Sequence, residues 1–179
     1  VDNLPQNTIK QQFMAIINHG KEFIFIHVPR TGGNSAYALL GGQSAGAMHL
    51  PRFKAEHEYY SFGFMRNPWD RMYSCYRKQK IMPKYEGIGF KEYLMDRILN
   101  NGIRHNAMYF LDGCDFIGRY ENLQADWDAI QNTIGMKPET LPHLNNCGIA
   151  DYRNHYDNEM VDFIALHHKA DIEYSGYAF

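Results

Sequence analysis

Apolar residues in this chain fall into short runs and one-sided stripes, separated by polar, glycine-bearing turns. Residues 23–28, Phe-Ile-Phe-Ile-His-Val, are almost continuously apolar, as in a strand buried on both faces. Residues 59–65 and 115–120 predict two more strands. Helical spacing surrounds them. Ile9, Phe13, Ile16 and Ile17 predict an N-terminal helix over residues 8–18, stopped by Asn18-His19-Gly20. A short helix over residues 36–40 has Asn34 or Ser35 as its cap, and residues 41–46 read as a flexible loop. Pro68 suits the first turn of a helix carrying Trp69, Met72, Tyr73 and Tyr76. Residues 82–89 read as a loop and residues 90–99 as a helix. The stripe Leu123, Trp127, Ile130 and Ile134 marks a core-facing helix over residues 121–134. After an irregular polar stretch at 138–153, Met160, Val161, Ile164 and Leu166 mark a last helix over residues 157–168.

Strands alternating with helices predict an α/β fold, a three-layer sandwich around a central parallel sheet. In such sheets ligands sit beyond the carboxyl ends of the strands. The chain has 179 residues, which suits one domain: an N-terminal helical segment at 1–20 and a core at 23–179. Hydrophobic content of 45% and charged content of 21% exclude a disordered chain. The formal net charge of −2 offers no basic field for nucleic acid. Three cysteines, Cys75, Cys114 and Cys147, lack any Cys-x-x-Cys spacing, so free thiols in a reducing compartment are expected. No apolar run approaches the ~20 residues of a membrane span, and the first residues do not resemble a signal peptide. A soluble, cytoplasmic protein is the expectation.

Two of the three strands end in unusual polar segments. After the first comes Pro29-Arg30-Thr31-Gly32-Gly33-Asn34-Ser35. A strand, a tight glycine turn and a helix start make an anion-binding arrangement. Backbone N–H groups converge there, the helix dipole favours negative charge, and Arg30 adds a full cation. A glycine turn with a helix cap is the alternative. The common nucleoside-triphosphate pattern G-x-x-x-x-G-K-[ST] is absent, because the cation precedes the glycines. After the second strand comes Arg66-Asn67-Pro68-Trp69-Asp70-Arg71, with Ser74 about two helical turns on. Arg66 and Ser74 can hold a second phosphate; the alternative is an Arg66–Asp70 surface ion pair. Two anion sites at neighbouring strand ends suit a nucleotide with separated phosphates.

These segments resemble the sulfotransferase family that uses 3′-phosphoadenosine-5′-phosphosulfate (PAPS). His27-Val28-Pro29-Arg30-Thr31-Gly32-Gly33-Asn34-Ser35 is similar to the family's 5′-phosphosulfate loop, usually written Pro-Lys-Thr-Gly-Gly-Thr-Ser. The stretch from Phe64 through Arg66 to Ser74 is similar to its 3′-phosphate motif. Ile117-Gly118-Arg119-Tyr120-Glu121-Asn122-Leu123 resembles a third segment, and the C-terminal stretch from Leu141 to Phe179 resembles small bacterial and Golgi carbohydrate sulfotransferases. The resemblance implies a P-loop nucleotide-kinase/sulfotransferase-like fold, with PAPS as donor co-substrate and no metal. It places Arg30, Thr31, Gly32, Gly33, Asn34 and Ser35 on the 5′ end, Arg66 and Ser74 on the 3′-phosphate, and Arg153 as a further contact from a segment closing over the nucleotide. It implies a hydroxyl acceptor, a carbohydrate or small alcohol. Arg30 and Asn34 depart from the family's Lys and Thr.

Transfer to a hydroxyl calls for charge stabilisation, for which Arg30 is the candidate, and for a base. His49 is the first candidate for the base, with His57 and Glu56 as rivals. His27 is expected to buttress the loop from within the sheet, and Glu121 to cap its helix. His143, Cys147, His155, His167 and His168 match no zinc spacing. A small kinase and a non-catalytic nucleotide- or glycan-binding protein stand as alternative functions.

Overall fold

The computed structural model describes residues 14–41, 43–48, 51, 57–101, 106–142 and 151–179. Five strands form one sheet: β1 (Met14–Asn18), β2 (Phe23–Ile26), β3 (Gln43–Met48), β4 (Tyr60–Met65) and β5 (Phe116–Arg119), in the order β3-β1-β2-β4-β5. The β2, β4 and β5 strands run parallel, with Ile26 opposite Gly63 and Met65 opposite Arg119. β1 runs antiparallel to both β2 and β3. The sheet is therefore mixed, and the expected parallel sheet holds for the β2-β4-β5 half.

The antiparallel half overturns two sequence expectations. Residues 14–18, predicted as the end of a helix, are β1; residues 1–13 of that segment lie outside the described residues. Ala15 and Ile16 point to opposite faces of the sheet and both are buried, so no period-2 alternation remains to betray a strand. The predicted loop at 41–46 contains the start of β3. Its sequence, Gln-Ser-Ala-Gly-Ala-Met, has no β-branched residue. It is an edge strand, paired with β1 along one side only.

Helices cover both faces. Successive residues of β2 point in opposite directions. Phe23 and Phe25, with Phe62 and Phe64 of β4, meet α1 (Gly33–Leu40) and α5 (Leu123–Thr133) through Ala36, Leu40, Trp127 and Ile130. Ile24, Ile26 and Met65 meet α4 (Met108–Leu111) and the residue before it through Ala107, Phe110 and Leu111. Gly63 permits this second contact: a Cβ there would lie 2.4 Å from Leu111 Cδ2 and 2.6 Å from the Ile26 carbonyl oxygen. A separate aromatic-rich core joins α2 (Pro68–Gln79), α3 (Phe90–Asn101) and α6 (Asn158–His167). The last predicted helix breaks at His168 and continues as α7 (Lys169–Ser175).

One buried polar knot ties these layers. The Asp171 carboxylate accepts from the Ala107 and Met108 N–H groups at 2.9 and 2.8 Å, and lies 3.2 Å from His168 Nδ1 and 3.7 Å from Arg71 Nη2. Burial pushes the Asp171 carboxyl up, but His168 and Arg71 outweigh it and the net direction is down. Burial lowers the His168 imidazole, which favours its neutral form donating Nδ1–H to the carboxylate. Among the described residues, no helix is long and apolar enough to cross a membrane.

Candidate anion-binding site

The carboxyl ends of β2, β4 and β5 lie side by side, and each releases an arginine: Arg30, Arg66 and Arg119. After β2, His27 and Val28 are still buried. The chain then turns sharply, with Arg30 at φ 67° and Gly32 at φ 81°. A left-handed non-glycine residue costs on the order of 1 kcal/mol, and such strain persists only where neighbours enforce it. The Thr31 hydroxyl donates to the Val28 carbonyl at 2.9 Å and closes the turn from inside. Gly32 has no room for a side chain, since a Cβ would approach Leu123 Cδ2 to 2.6 Å.

The cap of α1 corrects the sequence reading. Gly32, not Asn34 or Ser35, occupies the cap position, with no side-chain cap bond. Gly33, Asn34 and Ser35 form the first helical turn, where backbone N–H groups lie at the positive end of the dipole. Ser35 is buried and its N–H donates to the Gly32 carbonyl at 3.0 Å. Thr31 is buried too, its hydroxyl committed to the turn. His27 sits under the turn as expected: a Cβ on Gly33 would lie 2.6 Å from its ring.

Arg30 does not act alone. Its Nε donates to Ser74 Oγ at 2.9 Å, linking the first loop to α2. Arg66 Nη1 donates to the Arg30 carbonyl at 3.2 Å, and Arg66 Nε donates to Asp70 Oδ2 at 2.7 Å. The face of the Arg66 guanidinium lies 3.9 Å from the centre of the Tyr120 ring. Arg66 thus makes the expected ion pair with Asp70, and through the Arg30 carbonyl it joins the cluster in which Arg30 holds Ser74. Trp69 is buried, with its indole N–H on the Val161 carbonyl.

Arg153 lies in a 3₁₀ turn, Tyr152–His155, packed against α2. Its guanidinium stands 4.6 Å from the Tyr152 ring centre, and it is half exposed. Tyr152 packs in one core with Trp69 and Tyr73 of α2, and burial raises its phenol while Arg153 opposes that. His57 is not brought to the site. It precedes β4, whose far end carries Arg66 roughly 17 Å away along the strand. There it stacks on Tyr59 at 5.1 Å and meets His19 edge-on at 5.0 Å. His57 as a base at the Arg30 loop is corrected by this placement. His49 and Glu56 lie outside the described residues, as does the segment 143–150.

Sequence reasoning missed the outer layer of the site. Glu121 does not begin a helix; it sits in the 3₁₀ turn Tyr120–Asn122, before α5. Its carboxylate accepts from the Asn67 N–H at 2.8 Å and from the Tyr177 hydroxyl at 2.5 Å. The Asn67 side chain caps α2 through the Trp69 N–H and donates to the Ala178 carbonyl at 2.8 Å. No local pattern signals these links, which join positions separated by 54, 56 and 111 residues. Among the described residues, no group of three or more His, Cys, Asp and Glu side chains could hold a metal ion.

A mixed α/β sheet with a cationic cluster at its parallel strand ends is the class that the fold and the site define. No family model matches the chain. It is similar to an uncharacterized protein of Archaeoglobus fulgidus, 29% identical over 102 residues, which covers 53% of this chain and 83% of that one.

Proposed function

We propose that this protein is a PAPS-dependent sulfotransferase, on a P-loop-like nucleotide-binding core, that moves a sulfuryl group to a hydroxyl of a carbohydrate or small alcohol. The observation that carries the reading is the pair of bonds joining the two strand-end loops: Arg30 to Ser74, and Arg66 to the Arg30 carbonyl. Two guanidinium groups and a hydroxyl joined at neighbouring strand ends fit two nearby anionic groups of one nucleotide better than a lone phosphate ester. In this reading Arg30 and the N–H groups of α1 face the 5′ end. Arg66, held flat by Tyr120, faces the 3′-phosphate beside Ser74.

In the transfer, the acceptor oxygen bonds to sulfur as the bond from sulfur to the leaving phosphate oxygen breaks. Negative charge builds on that leaving oxygen, where a fixed guanidinium is most effective. Because the loop is already turned and tied, little reorganisation accompanies the charge shift. The acceptor's proton passes to a base, for which His49 remains the candidate. Calorimetric titration with adenosine 3′,5′-bisphosphate, ADP and ATP tests the reading. Tightest binding of the bisphosphate is expected; preference for ATP, or indifference to the 3′-phosphate, would overturn it. Sulfate transfer from labelled PAPS across glycans and alcohols then separates an enzyme from a binding protein.

A further inference from the structure

We propose that Tyr177 is a positioning residue for the Arg66 anchor, acting at a distance through Glu121 and Asn67. The inference rests on the nucleotide reading above for its consequence, and on contacts of the fold for its mechanics. Arg66 is the second cation of the site, and its guanidinium plane is set by the Tyr120 ring on one face and Asp70 at one edge. Its chain neighbour Asn67 fixes where β4 ends and α2 begins, through the cap bond to the Trp69 N–H. Two of the grips on this junction come from the Tyr120–Asn122 turn: the Arg66 guanidinium lies over the Tyr120 ring, and Glu121 accepts from the Asn67 N–H.

That turn is held in its own right by the C-terminal tail. The Tyr177 hydroxyl donates to the second oxygen of the Glu121 carboxylate, so one carboxylate bridges tail and junction. The Ala178 carbonyl takes the Asn67 side-chain N–H, and Arg119 Nη2 donates to the Ser175 carbonyl at 2.6 Å while its guanidinium lies 5.2 Å from the Tyr177 ring centre. Burial first, and then the bond to the Glu121 carboxylate, push the Tyr177 phenol upward, so it stays a donor throughout the physiological range. Without the hydroxyl, Glu121 keeps one partner and is free to rotate toward solvent, since it is exposed. The junction then loses its brace, and Arg66 loses the fixed position of the stacked turn.

Tyr177→Phe removes the hydroxyl and keeps the ring over Arg119. The expected result is a loss of roughly five- to tenfold in affinity for adenosine 3′,5′-bisphosphate, the net size of one typical hydrogen bond, with ADP binding unchanged. In an Arg66→Ala background the same substitution should have no further effect on the bisphosphate. A bisphosphate affinity unchanged by Tyr177→Phe, an equal loss for both nucleotides, or a full loss in the Arg66→Ala background would each overturn the proposal while leaving the nucleotide reading intact. If the wild-type protein does not prefer the 3′-phosphorylated nucleotide, the nucleotide reading fails instead. The brace is then decided by hydrogen exchange at the Asn67 amide: faster exchange in Tyr177→Phe supports it, and unchanged exchange overturns it.

Discussion

Arg66→Lys keeps one positive charge and discards a planar fork, so it separates charge from geometry at the site. Three contacts change. The ion pair with Asp70 is partly exposed, with side-chain exposures of 13% and 23%, so it contributes about 0.5–1 kcal/mol after solvent screening. The bond from Nη1 to the Arg30 carbonyl contributes about 1 kcal/mol. The stack on Tyr120 contributes about 0.5–1 kcal/mol. One side chain makes all three, so they do not add fully, and a net loss of about 1.5–2 kcal/mol is expected. For a chain of this length that lowers Tm by about 3–8 °C. A lysine ammonium still attracts a phosphate but cannot meet it with two parallel donors, so about tenfold weaker binding of adenosine 3′,5′-bisphosphate is expected. With ligand at about 100 times the wild-type Kd, ligand stabilisation should fall from about 2.7 to about 1.4 kcal/mol. Urea titrations with and without the ligand, and with ADP as control, read both effects. A variant as stable as wild type that keeps the full ligand shift would refute the assigned role of Arg66.

Gly63→Ala places a methyl group against the Ile26 carbonyl and Leu111, and a loss of about 3 kcal/mol or more is expected in denaturant unfolding. Arg30→Gly relieves the left-handed backbone while losing the Ser74 bond; stability should stay within about 1 kcal/mol of wild type, measured by Tm, while the proposed sulfuryl transfer from labelled PAPS should be lost. The buried His168 has its pKa lowered, so below about pH 6.5 the unfolded chain binds a proton that the folded one refuses. Stability should therefore fall as pH drops from 7 toward 5, and His168→Gln should flatten that slope in urea titrations at pH 7, 6 and 5. Asp171→Asn leaves the Ala107 and Met108 N–H groups and Arg71 facing a neutral partner; a loss of about 3 kcal/mol is expected, and a Cm unchanged from wild type would refute the polar knot.

What the amino-acid sequence determined by itself is local. The β2 run, the Pro68 helix start, the Leu123–Trp127–Ile130 stripe and the turn at Gly32 are each written in neighbouring residues, and each stands where the sequence placed it. The nearness of Arg30, Arg66 and Ser74 was also legible, because parallel strands joined by helices bring their carboxyl ends to one edge. The tertiary structure decided the rest. It turned residues 14–18 into a strand, because hydrogen bonding to two neighbours outweighs a short helical spacing in a segment apolar on both sides. It took His57 to the opposite end of β4, since a strand carries its two ends apart by its own length. It assembled the Tyr177–Glu121–Asn67 brace from residues with no sequence proximity. The glycine turn at Arg30 was readable in the sequence, but its firmness is a property of the fold. The left-handed arginine is tied from two sides, by Ser74 on α2 and by Arg66 from the next strand.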